Sequence, residues 1–211
     1  MSFIALIDYG MGNLMSVSHA LGYVGGKVRL VRTPAEAQGA AGLVLPGVGA
    51  FGDGMEHLRE AGFVPFLKKK AALGVPLLGI CLGMQMLLDS SEETPGSSGL
   101  SLIPGRVLRF PDRGMKVPQI GWNSIVPDQD DLFLKGIPKD AFFYFVHSYY
   151  VKPDHPADTA AVCRYMIDFA AAIRRKNIFA VQFHPEKSQE CGLTVLRNFV
   201  EFCGKGGEVS C

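Results

Sequence analysis

The chain has 211 residues, a formal net charge of +1, 48% hydrophobic residues and 19% charged ones. That composition belongs to a globular chain able to build a sizeable core. Near-neutral charge supplies no field to gather nucleic acid or an anionic membrane. The five cysteines, Cys81, Cys163, Cys191, Cys203 and Cys211, are odd in number and lack framework spacing. This argues against a disulfide-stapled secreted protein, and no CxxC pair suggests zinc. The N-terminus carries a buried-strand pattern and Asp8 rather than a basic segment, so no signal peptide is read. The most apolar of the long charge-free stretches, residues 71–88, holds Gly74, Pro76, Gly79, Gly83 and Gln85. It reads as helix end, turn, strand, turn and helix, not as a membrane span. A reducing cytoplasm is the expected location.

In chain order, residues 3–8 read as a strand, 13–24 as a helix, 27–32 as a second strand and 42–46 as a third. A helix over 55–73 follows, with a possible interruption before Pro65. Its end carries Lys68, Lys69 and Lys70, where cations complement the helix dipole. Residues 76–81 form a fourth strand that leads into a helix over 82–88. Near-continuous apolar strands between helices indicate a parallel sheet covered on both faces. Ligands in such sheets bind beyond the carboxyl ends of the strands. Residues 92–99, rich in Ser, Gly and Glu, read as an exposed loop. From Val107 onward the pattern is short strands and turns. Residues 141–151 form one long aromatic and β-branched strand, and 159–167, 170–175 and 178–184 form further strands. This antiparallel set extends the parallel core. A closing helix spans 193–203, and 204–211 reads as a flexible tail. With no repeat and no linker, the chain is read as one domain over 1–203.

The most informative stretch is Gly79-Ile80-Cys81-Leu82-Gly83, a G-x-nucleophile-x-G pattern at a strand-to-helix turn. Such a turn strains the nucleophile and exposes it at a helix N-terminus, where positive potential favours a thiolate. The Leu82 N–H, just after it, can face an oxyanion. A cysteine nucleophile needs a base, and the chain offers five histidines. His19 and His57 sit in amphipathic helices, His155 in a polar loop, and His147 inside the aromatic strand. His184 ends an apolar run and precedes Pro185 and Glu186. Proline disfavours the α region for the residue before it, so His184 should be extended. In extended chain, residues two apart share a side. Glu186 can therefore back His184 and fix its tautomer. Residues 46–52, Pro-Gly-Val-Gly-Ala-Phe-Gly, form a glycine loop after the third strand that can supply a second oxyanion donor. The loop is also a literal G-x-G-x-x-G, but no acidic residue ends the next strand, which argues against a dinucleotide site. Gly10-Met11-Gly12 lacks the third glycine.

A glycine-loop strand, a G-x-C-x-G elbow and a distant His-Pro-Glu, in that order, resemble the class I (triad) glutamine amidotransferases. The blocks at 8–14, 45–52, 121–123, 144–149 and 181–189 are similar to the glutaminase subunits of imidazole glycerol phosphate synthases. They cover nearly the whole chain. The resemblance implies a flavodoxin-like α/β fold: a parallel-core open sheet flanked by helices, with added antiparallel strands. It implies catalysis by Cys81, His184 and Glu186, with Val48, Gly49 and Leu82 at the oxyanion. Gln85, Tyr144, His147, Ser148 and Tyr149 would line the glutamine pocket or its rim. Asn13, Trp122 and Lys187 would face the partner, a (β/α)8-barrel cyclase in a heterodimer, which receives ammonia. No cofactor and no metal is implied. One departure stands out: where the family often has Pro-His-Met, this chain has Pro118-Gln119-Ile120. Gln119 is accordingly left out of the functional set.

Two other readings compete. One is a different enzyme of this architecture, an amidotransferase of another pathway or a stand-alone γ-glutamyl hydrolase; the blocks at 8–14 and 121–123 argue against it. The other is a catalytically silent regulatory subunit of the cyclase, which has no need of an intact Cys81, His184 and Glu186.

Overall fold

The computed structural model describes residues 3–112, 114–128 and 130–204. The first half runs β1 (Ile4–Ile7), α1 (Leu14–Tyr23), β2 (Val28–Val31), β3 (Gly42–Leu45), α2 (Phe51–Glu60), α3 (Phe63–Ala72), β4 (Leu77–Ile80) and α4 (Leu82–Gln85). The second half runs β5 (Ser90–Ser91), β6 (Gly105–Arg109), β7 (Gln119–Pro127), β8 (Ala141–His147), β9 (Tyr149–Pro153), β10 (Thr159–Tyr165), β11 (Ile167–Arg175), β12 (Ile178–Val181) and α5 (Gln189–Gly204).

Strands β1, β3, β4 and β12 are buried at every residue, as their unbroken apolar runs require. Because side chains alternate across a strand, each of these feeds two cores. Ile4 and Leu6 pack with Val17 and Leu21 of α1 and with Val195, Leu196 and Phe199 of α5. Ala5 and Ile7 join Phe51, Met55 and Leu58 of α2 and Phe63 and Leu67 of α3 on the other face. The nine-stranded sheet has the order β2-β1-β3-β4-β12-β11-β10-β7-β8. It is parallel from β2 to β12, then antiparallel outward to β8. The smaller sheet, β5-β6-β9, is hydrogen-bonded separately, and its Val107 and Val151 share a core with Ala170 and Ile173 of β11. Insertion of β12 beside β4, in register from Ile178↔Leu77 to Val181↔Ile80, brings the end of the chain next to its middle. The carboxyl ends of β3, β4 and β12 are therefore neighbours.

The helix expected over 55–73 is interrupted before Pro65, as the sequence suggested: the break falls at Gly62, whose φ of +74° suits glycine. Pro65 lies in the first turn of α3, where its missing N–H costs nothing. Three details depart from the sequence reading. The strand expected over 141–151 breaks at Ser148 and changes sheets: β8 pairs with β7, whereas β9 pairs with β6. Unbroken β-propensity carries no sign of that exchange. β7 escapes the reading because Gly121, Asn123 and Ser124 interrupt its apolar pattern. The expected flexible tail starts too early, since Gly204 closes α5; residues 205–211 lie outside the described residues. Among the described residues, no helix is long and apolar enough to cross a membrane.

Candidate active site

Cys81 joins β4 to α4 with φ 55° and ψ −110°, a conformation L-residues rarely adopt and one that costs about 1–3 kcal/mol. The surrounding backbone holds it there. Its N–H donates to Val181 O at 2.8 Å, and its carbonyl accepts from Met84 N at 3.0 Å and Gln85 N at 3.3 Å. The flanking glycines allow the turn to pack. A Cβ on Gly79 would stand 2.9 Å from Gly83 O, and one on Gly83 would collide with the carbonyl oxygen of Leu45 on β3. Cys81 as a whole is buried, 7% exposed.

His184 follows β12, extended at φ −97° and ψ 97°, with its N–H donating to Tyr144 O at 2.9 Å. Its Nδ1 donates to Glu186 Oε1 at 2.9 Å, and the two side chains are 4% and 1% exposed. Burial alone would push the imidazole pKa down. The adjoining Cys81 sulfur and the Glu186 carboxylate outweigh it, and together they raise the value to about 9. The other ring nitrogen, Nε2, is buried without a hydrogen-bond partner. Ser188 ties the turn down: its hydroxyl donates to His184 O at 2.6 Å and accepts from Tyr144 N at 3.0 Å.

A cleft of about 410 Å³ joins these parts, lined by Val48, Gly49, Cys81, Leu82, Gln85, Glu93, Pro118, Val146, His147, Ser148, Tyr149 and His184. The glycine loop enters it from β3, with Gly49 at φ +98° and Val48 44% exposed. Tyr9 braces this loop by donating to Pro46 O at 2.8 Å. Burial, reinforced by the nearby Cys81, pushes the Tyr9 phenol pKa up. His147 Nδ1 meets Tyr149 O at 2.8 Å. A carbonyl only accepts, so Nδ1 carries the proton and Nε2 is the acceptor. Burial lowers the His147 pKa to about 4, the Tyr149 carbonyl opposing and His184 adding to the fall. The ring is therefore neutral. The Gln119 amide lies 3.1 Å from Nε2, and pairing requires that its NH2 face the ring. Thus the residue that departs from the family pattern is buried against a cleft histidine.

Tyr144 does not line the cleft. Its ring packs edge-on to Trp122 at 6.1 Å, and the Lys187 ammonium lies 5.8 Å from its centre. Trp122 is 46% exposed, so these residues form a surface cluster. Asn13 opens α1, with its carbonyl accepting from Val17 N at 3.2 Å. Two polar cleft neighbours escaped the sequence reading. Glu93, in the stretch expected to be an exposed loop, reaches the cleft and accepts from Phe51 N at 2.8 Å. Beside it, Thr94 Oγ1 accepts from Gly52 N at 3.2 Å, so this loop satisfies first-turn donors of α2. No local pattern signals such a long-range cap. Gln182 Nε2 lies 3.7 Å from Cys81 Sγ. It lies just past β12, on the same run that ends in His184.

A strained cysteine, a carboxylate-backed histidine and a glycine loop at adjacent strand ends define an amidotransferase-type site. The chain matches the glutamine amidotransferase class-I family over residues 5–202 and belongs to that family. Among its curated relatives, "Imidazole glycerol phosphate synthase subunit HisH" of Moorella thermoacetica is 48% identical over 204 residues, 97% of each chain. The protein of the same description from Methanosarcina mazei is 50% identical over 96% of this chain and 100% of its own. In fold, the chain is similar to the structure of PurLQS from Thermotoga maritima, with a TM-score of 0.76 at 19% identity, covering 96% of this chain and 99% of that one.

Proposed function

We propose that this chain, as a single amidotransferase domain over residues 1–203, hydrolyses glutamine to glutamate and ammonia and passes the ammonia to a cyclase subunit. The cyclase, a (β/α)8 barrel, makes imidazole glycerol phosphate and an aminoimidazole carboxamide ribonucleotide in histidine biosynthesis, in the cytoplasm. The observation that carries this reading is His184, backed by Glu186 at 2.9 Å, in the same cleft as Cys81. The 48% and 50% identity, over nearly the full length, to subunits described as belonging to imidazole glycerol phosphate synthase supports the pathway.

In the reaction, the Cys81 thiolate attacks the carboxamide carbon of glutamine, forming a C–S bond. The oxygen that becomes negative is held by the Leu82 N–H and, after rotation of a peptide in the glycine loop, by the segment at Val48 and Gly49. His184 protonates the departing nitrogen through Nε2, the C–N bond breaks, and ammonia leaves. Water then attacks the glutamyl thioester while His184 takes its proton, and the C–S bond breaks to release glutamate. Glu186 stabilises the imidazolium in each half. Gln85, His147, Ser148 and Tyr149 shape the glutamine pocket. Trp122 and Lys187, with Tyr144 between them, and Asn13 face the cyclase. Ammonia released to bulk water is diluted and protonated, so delivery inside a complex keeps its lone pair available.

Cys81→Ala tests the assignment in the complex with a cyclase. Glutamine-dependent turnover is expected to vanish while ammonia-dependent turnover survives. Persistence of the first would refute the nucleophile, and loss of both would make Cys81 a structural residue. In the wild type, the loop rotation predicts glutamate release that is weak alone and strong with the liganded cyclase. Equal rates would point to a stand-alone hydrolase.

A further inference from the structure

The carbonyl oxygen of Tyr149 can only accept hydrogen bonds. It accepts from His147 Nδ1 at 2.8 Å and from Gln85 Nε2 at 3.1 Å. That fixes the sense of the Gln85 amide. The same NH2 group also donates to Gln182 Oε1 at 3.1 Å. This in turn fixes the Gln182 amide, whose own NH2 is left 3.7 Å from Cys81 Sγ. The reverse orientation would oppose the NH2 groups of Gln85 and Gln182 and aim a carbonyl oxygen at the sulfur. Gln182 is 0% exposed and Gln85 5%, so water offers neither an alternative. A main-chain carbonyl on β9 thus polarises a relay through two side chains that ends on the reacting atom.

We propose that Gln182 is a further residue of the catalytic machinery and that its N–H donates to the Cys81 sulfur; this rests on the reading of Cys81 as the nucleophile. A donor aimed at sulfur binds the thiolate more strongly than the thiol, because hydrogen bonds to charged acceptors are the stronger ones. It therefore favours the attacking form. It also receives the thiolate again when the thioester C–S bond breaks. No group is consumed in either role. Gln182 does not line the cleft, so glutamine binding is left to other residues.

The test is chloroacetamide labelling of Cys81 in the full chain with its cyclase, followed by mass spectrometry across a pH series. Wild type is compared with Gln182→Met, similar in size without the donor, and Gln182→Glu. The titratable groups near the sulfur, His184 with Glu186, Tyr9, Glu93 and His147, are the same in wild type and Gln182→Met, whereas Gln182→Glu adds a carboxyl group, which is acceptor-only while ionised. Gln182→Met is expected to slow labelling at neutral pH about tenfold, with the gap closing as pH rises. Gln182→Glu is expected to slow it further, since a carboxylate repels the thiolate. With glutamine as substrate, kcat should fall while KM stays within about twofold. Labelling at the wild-type rate in both variants overturns the proposal, as does a slowing of equal size at every pH. A wild type whose Cys81 does not label overturns the nucleophile assignment itself, and the relay with it.

Discussion

His184 and His147 stand in one cleft with opposite protonation preferences, and the neighbours of each explain why. Glu186 and Cys81 flank the first and hold its pKa up to about 9 despite burial. The second is buried, faces the charge of the first, and its pKa falls to about 4. The two bear on stability with opposite signs. Between pH 4 and 6.5 the unfolded chain binds a proton at residue 147 that the folded chain refuses. Stability should therefore rise with pH across that window, by an order of 3 kcal/mol. His184 contributes stability that is fully present below 6.5 and lost as pH climbs towards 9. Urea denaturation over a pH series reads both limbs, and His147→Gln is expected to flatten the acid one. An unchanged acid slope in that variant would show that His147 is not the group responsible. Cys81, His184 and Glu186 could be singled out because each lies in a short pattern, an elbow and a His-Pro-Glu after an apolar run, but Glu186 meets the imidazole from a 3-10 turn over Pro185–Lys187 and not from the extended chain expected. Glu93 could not be singled out, because its partner Phe51 is distant in sequence.

The elbow works as an element only because β3, β4 and α4 approach within glycine distance. Gly83 has no room for a side chain against the Leu45 carbonyl, and backbone cannot step aside as a flexible side chain can. Gly83→Ala is expected to destabilise the fold by about 1–3 kcal/mol, read as a lowered denaturation midpoint, with loss of glutaminase activity as Cys81 shifts. Wild-type stability and rate in this variant would mean the packing is looser than described. The parallel strands were legible because each is a single apolar run buried on both faces. β7 was not, since its inner and outer faces mix Gly121, Trp122 and Asn123. The exchange of sheets at Ser148 is set by which strand each half finds to pair with, and continuous β-propensity cannot encode that choice.

At the scale of the molecule, the site exists because the last parallel strand, β12, inserts next to β4 rather than at the sheet edge. That one pairing brings His184 to Cys81, while the antiparallel extension from β11 to β8 carries the far wall of the cleft, His147 included. The same extension presents Trp122 on the surface beside Tyr144 and Lys187, close to the turn that holds His184. Tyr144 of this cluster is hydrogen-bonded on both sides to the turn that carries His184. The sequence announced the parallel half through its periodicity, but the strand order that assembles the triad is a long-range fact. The measurement that bears most directly on the whole account is acid quenching of the complex during glutamine turnover, with mass analysis of the peptide that carries Cys81. The account predicts a glutamyl group on that cysteine, absent from Cys81→Ala. Steady glutamate release with Cys81 never acylated, or acylation at another residue, would contradict it.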